Sequence, residues 1–256
     1  MGIVNVTPDS FSDGGRFAAA ESAIARAQHL IEEGADIIDI GGESTRPGAQ
    51  AVSVGEERGR VLPVLEALNE CDVPLSIDTS KPELMRDAIR AGAAMINDVN
   101  ALRAPGALQI AAGSDAAVCF MHMQGTPQTM QINPRYDDAV GEIKSFLAER
   151  IEAAIISGIP RERIVIDPGF GFGKTREHNL ELFRRLHDFS DLAVPLLVGL
   201  SRKSLLGTLT GRDPKDRVHA SIAAALLAVT KGAAIVRVHD VAATRDALAV
   251  YNAVNE

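Results

Sequence analysis

Eight short apolar runs, rich in β-branched residues, alternate with longer helical patterns along this 256-residue chain. Continuous apolar runs of this kind are typical of strands buried on both faces of a parallel sheet. The predicted strands span residues 2–6, 37–40, 75–77, 95–96, 117–121, 164–166, 196–198 and 235–238. The predicted helices span residues 18–33, 54–70, 82–91, 105–112, 137–157, 177–189, 216–231 and 242–254. Eight strand–helix units in a chain of about 250 residues predict one α/β domain, residues 1–256, folded as a closed (β/α)8 barrel.

Three similar phrases, EEGADIID, RAGAAMIND and TKGAAIVRVHD, mark the passage from helix to strand. Each contains a helix end, a glycine turn and a buried strand. Four glycines, Gly34, Gly92, Gly158 and Gly232, follow predicted helix ends, where a positive φ is favoured. The alternative architecture is an open doubly wound sheet. That fold usually has fewer strands and a glycine-rich phosphate-binding fingerprint, which this sequence lacks.

The composition narrows the function classes. Hydrophobic residues make up 46% of the chain and aromatic residues only 4%, which suits an aliphatic core of helices packed on parallel strands. A net charge of −8 argues against binding to nucleic acid or to an anionic membrane. Cys71 and Cys119 lie far apart without metal-ligand spacing, and no apolar run is long enough to cross a bilayer. We therefore expect a reduced, cytoplasmic protein.

The segment DPGFGFGKT, residues 167–175, lies between a predicted strand and a predicted helix and resembles a nucleotide-binding P-loop at first sight. A P-loop requires four residues between its first glycine and its Gly-Lys-Thr. Here only three residues separate Gly169 from Gly173, and the position that would supply a fourth is Pro168, which has no N–H to offer a phosphate. The segment therefore needs another explanation, and we expect Lys174 and Thr175 to begin the next helix.

Polar side chains stand at or just after the end of every predicted strand, where the active sites of (β/α)8 barrels are built. A single Asp before a helix is more often a cap than a catalytic group, but eight such strand ends together favour a functional site. One subset, Asp78, Asn97, Asp167 and Lys203, suits an amino-pyrimidinone ring. Carboxylates accept from the exocyclic amine and ring N–H of such a ring, and an ammonium donates to its carbonyl or ring nitrogen. From the residues alone, ion pairs that merely close the barrel remain an alternative.

A second subset of donors suits a polyanion, and it comprises Asn5, Arg46, Ser201, Arg237 and His239. The LSRKS segment that contains Ser201 leads into a helix, whose backbone N–H groups can also bind an anion. A solvated loop and a structural strand-end histidine remain the alternatives for Arg202, Lys203 and His239. His122, in MHMQGTP, has no neighbour at metal-ligand spacing and is interpreted as part of a pocket wall.

Seven motifs occur in order: IVNVTPDSFSDGG, DIGGESTRPGA, SIDT, MINDV, DPGFGFGK, LSRKS and RVHD. Together they resemble the dihydropteroate synthase family of pterin-binding enzymes over nearly the whole chain. Members of that family usually carry a short segment ahead of the first strand, whereas this sequence begins within that strand, and the resemblance does not extend to how the bottom of the barrel is covered. The resemblance implies a transferase that joins 6-hydroxymethyl-7,8-dihydropterin diphosphate to 4-aminobenzoate and releases pyrophosphate, with Mg²⁺ as cofactor.

The resemblance also assigns roles to individual residues. The implied catalytic residues are Asp78, Lys203 and Arg237. The pterin would be bound by Asp78, Asn97, Asp167, Lys203 and Arg237, the last of these stacked on the ring. The diphosphate would be bound by Asn5, Thr45, Arg46, Arg237 and His239, with Asn5 as the Mg²⁺ ligand. The aminobenzoate would be surrounded by Phe11, Thr45, Pro47, Phe172, Ser201 and Ser204.

Further expectations concern loops, assembly and alternatives. The long loops after the first two strands should close over the substrates, and the Ala-rich segment 221–229 is a candidate interface for the homodimer that the resemblance implies. Sulfonamides, which imitate 4-aminobenzoate, are expected to bind. Three other functions remain open: a pterin-dependent methyltransferase, a Schiff-base aldolase using Lys203, and a pterin-binding protein without catalysis.

Overall fold

The computed structural model describes residues 1–6 and 15–255, without the side chains of residues 15–17. In this part of the chain the strands are β1 (Gly2–Asn5), β2 (Ile38–Gly41), β3 (Leu75–Asp78), β4 (Met95–Asp98), β5 (Ala117–Met121), β6 (Ile164–Asp167), β7 (Leu197–Val198) and β8 (Ile235–Val236). The α-helices are α1 (Gly15–Glu32), α2 (Val54–Leu68), α3 (Pro82–Arg90), α4 (Ala107–Ala112), α5 (Ala139–Ile156), α6 (Arg176–Arg184), α7 (Ser204–Thr210), α8 (Val218–Thr230) and α9 (Val241–Asn255).

The strands form a closed parallel barrel. Strands β1 to β6 pair in chain order, and β7 pairs with β8. Two single bridges join these groups, one between Ile166 and Leu196 and one between Gly2 and Val238. Backbone hydrogen bonds from Val238 to Met1 (2.9 Å) and from Ile3 to Val238 (3.1 Å) complete the closure. The predicted (β/α)8 architecture is confirmed.

Successive strand residues point to opposite sides, so the barrel has two apolar layers. The larger one lies between strands and helices and includes Ile38, Ile77 and Phe120. A smaller cluster inside the strands is formed by Met1, Met95, Cys119, Val165 and Leu197. Asn97 and Asp167 stand two positions after Met95 and Val165 on the same inward-facing rows, at the carboxyl ends of β4 and β6. The interior therefore changes from an apolar floor to a polar mouth, and that mouth is where the site lies.

The helix ends follow the predicted turn chemistry, with local differences. Gly34, Gly92, Gly158 and Gly232 adopt φ values between 87° and 98° after their helices. Helix α4 begins two residues later than predicted, because Gly106 (φ 85°) separates it from Pro105.

Two helical regions differ more. The predicted helix 177–189 is instead α6 followed by a 3₁₀ segment, Leu186–Leu192. Helix α7 was missed, because its short sequence SLLGTLT buries only Leu205 and Leu206 and has no long apolar period. Within residues 1–6 and 15–255, no helix combines the length and apolar character that crossing a bilayer requires.

Candidate active site

The centre of the barrel mouth is organised around Asp39, a fully buried carboxylate on β2. Ser76 donates to its Oδ1 at 2.6 Å, and Asn97 donates through Nδ2 to its Oδ2 at 3.1 Å. Arg237 donates through Nε to the same Oδ2 at 2.6 Å. One carboxylate thus fixes side chains from β3, β4 and the residue after β8, and Asn97 and Arg237 are held in defined orientations.

Arg237 also reaches Asp78, at the end of β3. Its Nη2 donates to Asp78 Oδ2 at 2.9 Å, so one guanidinium joins two carboxylates. Burial opposes the charge of Arg237, but the charges of Asp39 and Asp78 outweigh it and raise its pKa. Burial raises the pKa of Asp78, and the charge of Arg237 only partly offsets this. Because the hydrogen bonds of a guanidinium lie in its plane, its faces remain suited to stacking on a flat ring.

A second cluster lies on the β6 side of the mouth. Asp167 ends β6, and its Oδ1 accepts from the backbone N–H of Gly169 at 2.7 Å. Lys203 donates to the carbonyl of Phe170 at 2.6 Å, and its Nζ lies 4.6 Å from the centre of the Phe172 ring. Burial lowers the pKa of Lys203 to about 8, although the charge of Asp167 raises it. Burial also raises the pKa of Asp167, against the charge of Lys203.

His239 and Ser201 form the third part of the mouth. The backbone N–H of His239 donates to Ser201 Oγ at 3.2 Å, and the same Oγ lies 2.9 Å from His239 Nδ1. Burial, together with the positive charges of Arg237 and Arg202, lowers the pKa of His239 to about 4. A neutral ring whose Nδ1 accepts from the hydroxyl carries its proton on Nε2. In that tautomer, His239 offers a donor at Nε2.

The neighbouring Arg202 does not belong to this donor set. It binds Asp240 through Nη2 at 2.5 Å and through Nε at 3.1 Å. The alternative of an unpaired, solvated side chain is therefore wrong for Arg202, which is instead a structural ion pair.

The remaining predicted site residues lie around the mouth with varied exposure. Thr45 lines a cavity of about 230 Å³ together with Asp78, Val99 and Met123. Phe172 packs against a methionine-rich cluster that contains Met121 and Met123. Asn5 ends β1, half-buried and in register with Gly41, whereas Arg46, Pro47 and Ser204 are exposed. Phe11 lies outside the described residues.

Comparison with known proteins decides the family. The sequence profile of the pterin binding enzyme family matches residues 1–239. The dihydropteroate synthase of Escherichia coli (strain K12) is 50% identical over 254 residues, which cover 99% of this chain and 90% of that protein. The chain belongs to the dihydropteroate synthase family of pterin-binding enzymes.

Solved structures of this family superpose closely on the chain. The Xanthomonas albilineans dihydropteroate synthase with 4-aminobenzoic acid has a TM-score of 0.95 at 56% identity, covering 100% of this chain and 92% of that one. A structure from the same organism in complex with 7,8-dihydropteroate has a TM-score of 0.91 at 53% identity, with the same coverage. The family resemblance and the barrel fold that the motifs predicted are confirmed.

Sequence reasoning on this dihydropteroate synthase family member overlooked three residues. Asp39 and Ser76 were given no role, although they begin the motifs DIGGESTRPGA and SIDT, yet together they orient the centre of the site. The signal was a carboxylate inside an otherwise apolar strand, IIDIG, where burial without partners is costly. The third is Lys174, which was expected to begin a helix. Thr175 caps α6 instead, and Lys174 turns inward and is only 3% exposed.

Proposed function

We propose that this chain joins 6-hydroxymethyl-7,8-dihydropterin diphosphate to 4-aminobenzoate, giving 7,8-dihydropteroate and pyrophosphate. The observation that carries the proposal is the guanidinium of Arg237, held between Asp39 and Asp78 at 2.6 and 2.9 Å beside Asn97. This arrangement offers acceptors, an amide and a flat cation to a planar, amine-bearing heterocycle. It is supported by 50% identity to a synthase over nearly the whole chain and by the family structure that contains 7,8-dihydropteroate.

The pterin is bound between the two clusters of the mouth. Asp78 and Asp167 accept from the ring N–H and amine, Asn97 adds an amide contact, and Lys203 donates to a ring acceptor. Charge-assisted hydrogen bonds of this kind contribute about 1.5–3 kcal/mol each. Arg237 stacks on the ring face, while the edge of its guanidinium is hydrogen-bonded to the carboxylates of Asp39 and Asp78.

The substitution proceeds with bond breaking ahead of bond making. The C–O bond between the pterin methylene and the diphosphate breaks, and its electron pair leaves with pyrophosphate. Positive charge spreads over the dihydropterin, where the anion of Asp78 stabilises it. The amine of 4-aminobenzoate then forms the C–N bond and releases a proton to solvent. No protein nucleophile takes part, so positioning of two substrates supplies much of the rate enhancement.

The leaving diphosphate is held by donors at the β1, β2 and β8 ends. Arg237, Arg46 and the Nε2–H of His239 supply positive charge and hydrogen bonds, and Thr45 adds a hydroxyl. Arg46 contributes to the lowered pKa of His239, which places its charge within electrostatic reach of that ring. Salt screening is weaker in such a partly enclosed site than at an open surface.

The donor set fits Mg²⁺ held jointly by protein and substrate. In residues 1–6 and 15–255 there is no group of three or more His, Cys, Asp or Glu side chains that could form a metal cage. Mg²⁺ commonly binds through one or two protein oxygens plus substrate phosphates and water, and Asn5 offers a carboxamide oxygen at the end of β1. When bound, the ion would neutralise charge on the departing pyrophosphate.

The aminobenzoate lies outside the pterin, against the β6–α6 and β7–α7 loops. Phe172 provides an aromatic wall over Lys203, and Ser201, Ser204, Thr45, Pro47 and Phe11 complete the proposed pocket. The same pocket is expected to accept sulfonamides. Closure of the loop after β2 would exclude water while the cationic intermediate exists, whereas the expected closure of the loop after β1 concerns residues 7–14, which lie outside the described residues.

Assembly and location are further parts of the proposal. Helices α8 and α9 leave Leu227, Val250 and Val254 exposed, at 51%, 67% and 78%. This apolar face, next to the small residues of α8, suits a second copy of the chain in a homodimer. Cys71 and Cys119 are both free thiols, as is usual for cytoplasmic proteins.

A second candidate rests on Lys203, whose pKa is lowered to about 8 by burial, as in lysines that form imines. An aldolase would be trapped covalently at Lys203 by borohydride and a carbonyl substrate. The synthase would instead form 7,8-dihydropteroate and pyrophosphate in a 1:1 ratio, detected by mass spectrometry and a phosphate-coupled assay. Binding of the pterin without turnover would support a non-catalytic binding protein, and methyl transfer would support the related methyltransferases.

A further inference from the structure

The β6–α6 loop is held at every peptide carbonyl from residue 169 to residue 173. The Gly169 carbonyl accepts from Lys174 and from the backbone N–H of Phe172, and the Phe170 carbonyl accepts from Lys203. The carbonyls of Gly171, Phe172 and Gly173 accept from Gln131, Lys174 and Tyr136, respectively. Lys174 therefore serves two of the five carbonyls from a single buried ammonium. Its function is not explained by the substrate contacts proposed above.

The surroundings of Lys174 define how it is bound. Its Nζ lies 2.9 Å from the Gly169 and Phe172 carbonyl oxygens and 3.0 Å from His122 Nδ1. These three shortest contacts match the three N–H groups of an ammonium, and the carbonyl oxygen of His122 lies farther away, at 3.4 Å. His122 must then accept at Nδ1 and be neutral, which agrees with its pKa, lowered to about 3 by burial and by the charge of Lys174.

Among the described residues, none of the groups hydrogen-bonded to Lys174 Nζ is a carboxylate. Burial lowers the pKa of Lys174 to about 7, although the charge of Asp167 raises it. Its ammonium is thus held by backbone dipoles and one imidazole rather than by an ion pair. An apolar side chain of the same length would remove the Lys174 contact from the Phe172 carbonyl and the imidazole nitrogen, and would leave the Gly169 carbonyl only the backbone N–H of Phe172.

The same loop segment bears directly on the site. Between the two carbonyls that Lys174 holds lies the carbonyl of Phe170, which accepts from Lys203 at 2.6 Å. The Phe172 ring, next to a carbonyl held by Lys174, lies 4.6 Å from Lys203 Nζ. A displacement of the segment would therefore move both the partner of Lys203 and the aromatic wall.

We propose that Lys174 is a positioning residue for the aminobenzoate half of the site, acting from behind the loop through Phe172. The inference rests on the proposed function, since it assigns the Phe172 side of the mouth to that substrate. On the pterin side, Asp39, Asp78 and Asn97 lie on other strands, whereas Asp167 and Lys203 contact the loop through the N–H of Gly169 and the carbonyl of Phe170. We therefore expect a smaller effect on pterin binding than on aminobenzoate binding.

The first test replaces Lys174 by methionine, with Lys144→Met as a matched control. Lys144 also cross-links two segments, through Asp191 at 2.6 Å, but lies on the surface away from the mouth. Hydrogen exchange by mass spectrometry should show faster exchange in residues 169–173 for Lys174→Met alone. In steady-state kinetics, its KM for 4-aminobenzoate should rise at least tenfold, and by clearly more than its KM for the pterin diphosphate.

A second pair of variants keeps Lys174 and changes only one of its acceptors. His122→Asn retains an oxygen acceptor near the Nδ1 position, whereas His122→Leu removes it. The leucine variant should raise the KM for 4-aminobenzoate severalfold, and the asparagine variant should restore it to within twofold of wild type. This pair remains informative if Lys174→Met fails to fold.

Three outcomes would overturn the inference. The first is unchanged hydrogen exchange in residues 169–173 of Lys174→Met, and the second is an equal rise in both of its KM values. The third is that His122→Asn and His122→Leu have indistinguishable kinetics. Failure of the proposed function is a separate result, because wild-type protein would then form no dihydropteroate, while the exchange measurement would still report on the loop.

Discussion

Arg237 and Asp39 form the innermost ion pair of the barrel mouth, with Nε 2.6 Å from Oδ2 of a carboxylate that is fully buried. The same oxygen accepts from Asn97, and the other oxygen accepts from Ser76. The orientation of two proposed pterin ligands therefore depends on a residue that does not itself need to touch the pterin.

Replacing Asp39 by asparagine should impair both function and stability. The amide would face two donors, Asn97 and Arg237, and would lack the charge that offsets the guanidinium. We expect kcat/KM to fall roughly 100-fold, as for loss of a preorganised electrostatic contact, and the free energy of unfolding to fall by about 3 kcal/mol, as for a broken buried ion pair. Steady-state kinetics and urea unfolding measure these changes. Asp240→Asn, which breaks the outer pair with Arg202, is the control, and equal losses in the two variants would contradict the assignment.

Gly169 should not tolerate a side chain, for two separable reasons. Its φ is 71°, and a Cβ there would overlap the carbonyl oxygen of His122. Gly158 has a φ of 96° with nothing within 4 Å of a built Cβ, so Gly158→Ala isolates the backbone strain alone. That strain lowers the free energy of unfolding by about 1 kcal/mol. Gly169→Ala should lower it further and should reduce activity at least tenfold, because a roughly 1 Å misplacement in a site can have an effect of this size. Similar melting temperatures and activities for the two variants would show that the loop does not need this close approach.

His239 should make stability depend on pH. Its pKa is about 4 in the folded protein and near 6.5 when unperturbed, so between those values the unfolded chain binds more protons. The contribution of His239 therefore favours folding at pH 7 and is lost as pH falls from about 6.5 towards 4. Buried carboxyls act in the opposite direction, since burial raises the pKa of Asp98 to about 6. The quantity to measure is thus the difference in unfolding free energy between wild type and His239→Gln at pH 7 and pH 5. A difference that does not change with pH would rule out a neutral buried His239.

Removing Mg²⁺ should stop pyrophosphate release without unfolding the protein. Chelation by EDTA should abolish turnover, and added Mg²⁺ should restore it, because the leaving group carries the charge that the ion neutralises. Asn5→Ala should raise the Mg²⁺ concentration required for half-maximal rate by roughly tenfold, because the ion would lose an oxygen ligand or a residue that supports its ligands. Asn5→Asp, which keeps an oxygen donor, should be affected less. Full activity of Asn5→Ala at low Mg²⁺ would place the ion elsewhere.

The barrel and the location of its site could be predicted because local signals agree with the fold. Apolar runs bounded by glycine marked the strands, and polar residues at their ends marked the mouth. Which of these residues meet was not predictable, because that depends on register between strands. Asp39 lies opposite Ser76, and Gly41 lies opposite Asp78, in the β2–β3 pairing. A change of one residue in register would separate these partners.

Lys174 and α7 show two other limits. The direction of Lys174 is set by Thr175, which accepts from the backbone of His178 as the cap of α6 and leaves the preceding side chain to turn inward. A sequence pattern identifies the cap only after the helix start is known to one residue, and helix boundaries are the least certain feature. Helix α7 is stabilised mainly by the burial of Leu205 and Leu206 against the barrel, which is a tertiary effect.

In the proposed reaction, the Asp78–Arg237 pair and its neighbours catalyse loss of pyrophosphate from the pterin substrate. The most direct measurement is single-turnover release of pyrophosphate from dihydropterin diphosphate with Mg²⁺ and 4-aminobenzoate, for wild type and Asp78→Asn. We predict equal amounts of pyrophosphate and dihydropteroate from wild type, and a rate at least 100-fold lower in the variant, as expected when charge stabilisation in the transition state is lost. An unchanged rate of pyrophosphate release in Asp78→Asn, or no release by wild type, would contradict the account.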